Sequence, residues 1–186
     1  MMNKNQIGIP NKETTALLVV DVQERLMPVI EESSQMIQQV NVLLRGAEIL
    51  GLKTLITEQY PKGLGKTCRE VILPEKFYLT EKITFSCMQC DSVLAQLRES
   101  NITDIIICGV ESHICVLKTA LEAVQQEFNV HIVADAVSSR TFENKELALS
   151  RMRQAGAYIV STEMILFLLL EKAGTEEFKQ ISNLIK

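Results

Sequence analysis

Asp21, Lys82 and Cys115 lie far apart in the sequence but together hold the groups that thiol catalysis needs. A cysteine sulfur attacks a polarised carbonyl, an ammonium and a helix N-terminus stabilise the thiolate, and a carboxylate accepts and returns protons. Taken singly, each has a plainer role. A strand-end Asp caps a helix, a loop Lys is solvated, and a helical Cys packs in a core. The chemistry therefore depends on whether the fold gathers the three.

Six short apolar runs read as strands: Thr15 to Val20, Lys53 to Thr57, Phe77 to Thr80, Asp104 to Cys108, Val130 to Ala134 and Ala157 to Val160. The first is β-favouring throughout and stops at Asp21, as in a strand buried on both faces of a parallel sheet. Helical spacing falls between them, in Met36, Val40, Leu43, Leu44 and Ala47 before Gly51, and in Val93, Leu94 and Leu97 before Asn101. It returns in Leu117, Ala120, Leu121 and Val124, and in Leu147, Ala148 and Met152 before Gly156. This alternation predicts an α/β fold of three αβα layers, a six-stranded, mostly parallel, doubly wound sheet with its site beyond the carboxyl ends of the strands. Asp21 ends the first strand, Lys82 follows the third, and Cys115 opens the helix after the fourth. The segment Glu58 to Pro74 reads as an irregular loop over the site.

Other motifs fall short. Gly65-Lys66-Thr67 ends like a phosphate loop, but the required first glycine is Tyr60. Cys87 and Cys90 have redox-dithiol spacing without a flanking Trp, and inert, partly buried thiols are the plainer reading. His113 and His131 lie in different elements and do not make a zinc site, so neither a metal nor another cofactor is expected.

The 186 residues, 47% hydrophobic and 23% charged, suit a single domain over residues 1–186, with 1–13 as a short polar leader. A net charge of -4 without a basic block argues against nucleic acid as a partner. The run Met164 to Leu170 is too short to cross a bilayer, so no membrane is expected and a cytoplasmic location follows by default. That run and the tail through Ile181, Leu184 and Ile185 supply apolar surface for a homo-oligomer.

Three blocks resemble the isochorismatase-like cysteine hydrolases: Leu17 to Gln23, Glu81-Lys82 with Phe85-Ser86, and Gly109 to Val116. The stretch Glu58 to Gly65 is similar to the branch around isochorismatase domain-containing protein 2. The resemblance implies that Asp21 is the general base, Lys82 the ammonium that lowers the thiol pKa, and Cys115 the nucleophile. It further implies a cis bond between Val110 and Glu111 and an oxyanion hole from the Glu111 and Cys115 N–H groups. Gln23, Tyr60, Phe85 and Ser112 become candidate substrate-binding residues, Ser112 standing where the family has Thr. Nicotinamidases hold a metal with an Asp and two His after the second strand, where this chain has no His. The implied activity is hydrolysis of a small-molecule amide or related C–N bond through a thioester. The alternative is a ligand-binding or redox-sensing protein that uses the same fold and a reactive thiol without turnover.

Overall fold

A computed structural model describes residues 7–186. Its strands are β1 (Thr15–Val20), β2 (Lys53–Gln59), β3 (Tyr78–Lys82), β4 (Asp104–Gly109), β5 (Asn129–Val137) and β6 (Tyr158–Val160). They form one parallel sheet in the order β3-β2-β1-β4-β5-β6. The chain winds outward from β1 to β3 and then returns to β4 beside β1. The point of reversal lies between those two strands, where open α/β sheets leave a crevice.

The helices are α1 (Ser33–Leu50), α2 (Pro61–Leu64), α3 (Asp91–Glu99), α4 (Leu117–Gln125), α5 (Phe142–Gln154), α6 (Thr162–Leu169) and α7 (Glu176–Leu184). Alternation along each strand divides the core into two layers. Leu17 and Val19 of β1 and Ile106 of β4 pack with Val40, Leu43 and Leu44 of α1 and Ile165 of α6. Leu18, Val20, Ile105 and Ile107 face the opposite layer, with Val93 and Leu97 of α3, Ala120 of α4 and Met152 of α5. Each inner strand is thus apolar on both faces, which is why it reads as a continuous run.

Several strands run further than their apolar stretches. Glu58 and Gln59 belong to β2 and pair with Glu81 and Lys82 of β3, so Lys82 is a strand residue. The carboxyl ends remain in the ladder while their side chains turn polar. The segment expected to be irregular also contains α2. Gln23 and Thr67 form an antiparallel bridge across it, and backbone bonds run from Glu24 to Lys66 and from Arg25 to Leu64. It is a strapped rim.

Half of the expected polar leader, residues 1–6, lies outside the described residues. The remainder is packed: Pro10 is buried and the Lys12 ammonium meets Glu177 of α7 at 3.1 Å. Among the described residues no helix is long and apolar enough to cross a membrane. In α6 and α7 the apolar surface is divided, with Ile165, Leu166, Leu169 and Ile181 buried within the chain and Met164, Phe167 and Leu168 exposed.

Candidate active site

The ladder itself brings the three side chains together. Val20, the last residue of β1, stands beside Thr57 of β2 and Gly109 of β4. Asp21 follows it with φ 52°, in the left-handed region that aspartate tolerates better than most residues. Gly109 (φ 104°) lies so close to β1 that an added Cβ would meet the Val20 carbonyl oxygen at 2.1 Å. Only glycine fits there, and this close approach starts the turn that carries Cys115.

Asp21 and Lys82 form a fully buried ion pair, with Lys82 Nζ donating to Asp21 Oδ2 at 2.6 Å. Nζ also donates to Gln59 Oε1 at 2.7 Å and to the carbonyls of Thr84 and Phe85 at 3.3 and 3.4 Å. Burial pulls the Lys82 pKa down, but the Asp21 carboxylate and the nearby Cys87 and Cys115 sulfurs outweigh it, and the net direction is upward. Lys82 therefore remains an ammonium whose donors are already committed to the protein. The other Asp21 oxygen, Oδ1, accepts from Thr57 Oγ1 at 2.7 Å.

Cys115 lies in a one-turn π-helix, Ser112–Val116, that leads into α4, and it is 7% exposed. The Asp21 carboxylate lies near enough to act on its thiol. Burial pushes the Cys115 thiol up, the Asp21 charge pushes it further, and Lys82 opposes both without prevailing. This corrects the expectation of a depressed thiol pKa. Counting a helix terminus and an ammonium left out the desolvation of the sulfur and the negative carboxylate beside it. A thiol kept protonated beside a carboxylate can be activated by giving that carboxylate its proton.

The peptide bond between Val110 and Glu111 is cis. Among the described residues the Glu111 N–H meets no hydrogen-bond acceptor. The Glu111 carboxylate pairs with Arg140, which follows β5, at 2.8 Å.

Two of the expected substrate contacts are structural instead. Gln23 is buried, with Nε2 donating to the carbonyls of Gln59 (3.0 Å) and Gly65 (2.6 Å) while Oε1 accepts from the Gln59 N–H. Its amide is used up in holding the rim. Ser112 is also buried, and its hydroxyl and N–H both donate to the Ser138 carbonyl, tying the nucleophile turn to the end of β5. Tyr60 and Phe85 are exposed. Tyr60, Pro61, Glu81, Lys82 and Ile83 border a cleft of about 330 Å³ at the sheet edge. Thr57 and Gln59 were missed as site residues. Their signal was available in Thr57-Glu58-Gln59, a polar run directly continuing an apolar strand.

No His lies between β2 and β3, and among the described residues no group of three or more His, Cys, Asp or Glu is arranged to hold a metal ion. His131 is buried against Asp104 at the far end of the sheet, and His113 pairs with Ser139. The residues here do not fit a nicotinamidase-type metal. Cys87 and Cys90 are both free, and their sulfurs reach different partners, Thr57 for Cys87 and Ser86 and Thr84 for Cys90.

Residues 15–164 match the isochorismatase domain model. Isochorismatase domain-containing protein 2 of Danio rerio is 37% identical over 180 residues, covering 96% of this chain and 90% of the relative. Isochorismatase domain-containing protein 1 of the same fish is 35% identical over 187 residues, and the chain spans 65% of that longer protein. The structure of MAR1 ribonuclease from Caenorhabditis elegans superposes with a TM-score of 0.89 at 34% identity, covering 95% of this chain and 91% of that one. With its all-parallel α/β sheet and these matches, the chain belongs to the isochorismatase family of hydrolases.

Proposed function

We propose that the protein hydrolyses a small-molecule amide or related C–N bond, with Cys115 as nucleophile, Asp21 as general base and acid, and Lys82 as the fixed cation that orients Asp21. The observation that carries this is the buried Cys115 thiol beside a carboxylate that is itself held by an ammonium and a hydroxyl. Such a carboxylate serves proton transfer because a single hop connects it to the sulfur.

The steps follow from that geometry. Asp21 takes the thiol proton as the sulfur bonds to the carbonyl carbon, and the carbonyl oxygen becomes an oxyanion facing the Glu111 and Cys115 N–H groups. The oxyanion collapses, the C–N bond breaks, and the protonated Asp21 gives its proton to the leaving amine. Water then attacks the thioester, losing a proton to Asp21. The C–S bond breaks, the acid departs, and the sulfur regains its proton. Lys82 stays charged throughout and neutralises Asp21 when the carboxylate is ionised. Its hydrogen bonds are filled by the protein, so its role is to hold Asp21 and not the substrate.

The net charge of -4 and the buried thiol favour acyl transfer over RNA cleavage. The test is a panel of amides, carbamoyl compounds, esters and a labelled RNA, offered to wild type and Cys115→Ser. Turnover of a C–N substrate that the variant abolishes is expected. RNA cleavage that survives in Cys115→Ser, with no small substrate turned over, would overturn the proposal. A self-associating assembly joined through the exposed Met164, Phe167 and Leu168 is a further expectation, and light scattering giving a monomer mass near 20.9 kDa would refute it.

A further inference from the structure

Asp21 has two carboxylate oxygens, and the site treats them differently. Oδ2 faces the Lys82 ammonium, whereas Oδ1 faces the hydroxyl of Thr57, a fully buried β2 residue whose carbonyl also accepts from the Asp21 N–H at 3.2 Å. A hydroxyl has one proton, and Thr57 gives it to Asp21. What remains on Thr57 Oγ1 is acceptor capacity. The Cys87 thiol fills it, donating to Oγ1 at 3.8 Å. Cys87 is itself anchored, its N–H donating to Thr119 Oγ1 at 3.0 Å on the first turns of α4, one turn beyond Cys115. Burial pushes the Cys87 thiol up to about 11, so it keeps the proton it donates across the neutral range.

We propose that Thr57 is a positioning residue for the Asp21 base: its hydroxyl, held in one polarity by the Cys87 thiol, keeps Oδ1 an acceptor and leaves the travelling proton to the lone pair facing Cys115. The inference rests on Asp21 acting on Cys115 as proposed above. Were Oδ1 to take the proton on the lone pair that faces Thr57, Thr57 would have to turn its own hydrogen away, toward the Cys87 S–H. Two hydrogens would then face each other in a dry pocket. The proton from Cys115 is thereby kept on the side where the leaving amine and the water arrive. The other ionisable groups facing Asp21 are Lys82 from β3, Cys87 from the turn Cys87–Gln89 and Cys115 from the π-turn, and Thr57 is the neutral donor among them.

Removing a donor from a carboxylate favours its protonated form, so any step that needs ionised Asp21 fails at a higher pH. The experiment follows alkylation of Cys115 by iodoacetamide against pH, with peptide mapping, in wild type, Thr57→Val, Thr57→Ala, Thr57→Ser, Cys87→Ala and Asp21→Asn. Wild type should show an acid limb set by Asp21, which Asp21→Asn replaces with the plain rise of the thiol at alkaline pH. In Thr57→Val and Thr57→Ala the limb moves up by roughly one pH unit, and Thr57→Ser restores it. Cys87→Ala moves it the same way by less, which keeps the test open if the Thr57 variants do not fold. A limb unmoved in the Val, Ala and Cys87 variants but absent in Asp21→Asn overturns this inference and leaves the function reading standing. A limb unchanged in Asp21→Asn overturns both.

Discussion

Two buried acid–base pairs occupy opposite ends of the same sheet. At the carboxyl end Lys82 and Asp21 meet at 2.6 Å, and at the amino end His131 and Asp104 meet at 3.1 Å, both pairs essentially without solvent exposure. Their surroundings differ. Around Asp21 and Lys82 each polar atom has a partner, and a thiol, a hydroxyl and a carboxamide complete the group. Asp104 is likewise satisfied, by Thr103 at 2.8 Å, but His131 Nδ1 is the one buried side-chain nitrogen or oxygen without a partner among the described residues, its ring stacked on Tyr158. A buried acid–base pair is therefore not in itself a sign of catalysis. What separates the two is a cysteine thiol close by and a position at the strand reversal, where β1 and β4 open toward a crevice.

The comparison predicts a separation between activity and stability. Asp21→Asn should lower turnover by roughly 10²- to 10⁴-fold, measured as kcat/KM on whichever amide the panel identifies. Asp104→Asn should leave kcat/KM near wild type while costing about 1–3 kcal/mol in denaturant unfolding. Equal losses of activity from both would erase the distinction between the two ends.

Next in size is the effect of breaking the Asp21–Lys82 pair from the lysine side. Lys82→Met leaves the Asp21 carboxylate buried without its cation, at a cost of about 3–5 kcal/mol by urea unfolding. Adding Asp21→Asn should recover part of that loss, because the stranded charge disappears. Strict additivity in the double variant would mean that the two do not act as a pair.

The smallest effect is in alkaline solution. Cys87 titrates near 9.0 when unperturbed and at about 11 in the fold. The folded state holds this proton more tightly, so its contribution is full below about pH 9 and is lost as pH rises through 11. Stability followed by thermal melting should decline over that window, less steeply in Cys87→Ala. An identical slope in the variant would show that the thiol is not buried as described.

The strands of this fold were legible because burial on both faces of a parallel sheet writes itself as apolar runs. Their carboxyl ends were not. Glu58, Gln59, Glu81 and Lys82 remain in the ladder while turning polar, and hydropathy reads that as loop. Asp21, Lys82 and Cys115 could be singled out because each ends or follows a recognisable element, and the structure brings the three together. Gln23 and Ser112 went wrong for a different reason. Proximity in sequence to a nucleophile or base does not reveal where a short polar side chain points, and both are spent on backbone carbonyls. The Cys115 pKa was misjudged because burial, invisible in a motif, outweighs the favourable charge of Lys82.

The central claim, that Cys115 is the nucleophile with Asp21 as its base, is tested most directly by trapping the acyl-enzyme. Wild type and Asp21→Asn are mixed with an activated ester, quenched within the first turnover, and examined by intact mass and peptide mapping. The account predicts one acyl group on Cys115 in wild type and strongly slowed acylation in Asp21→Asn. Acylation of a different residue, or equal acylation of Cys115 with and without the Asp21 carboxylate, would contradict it.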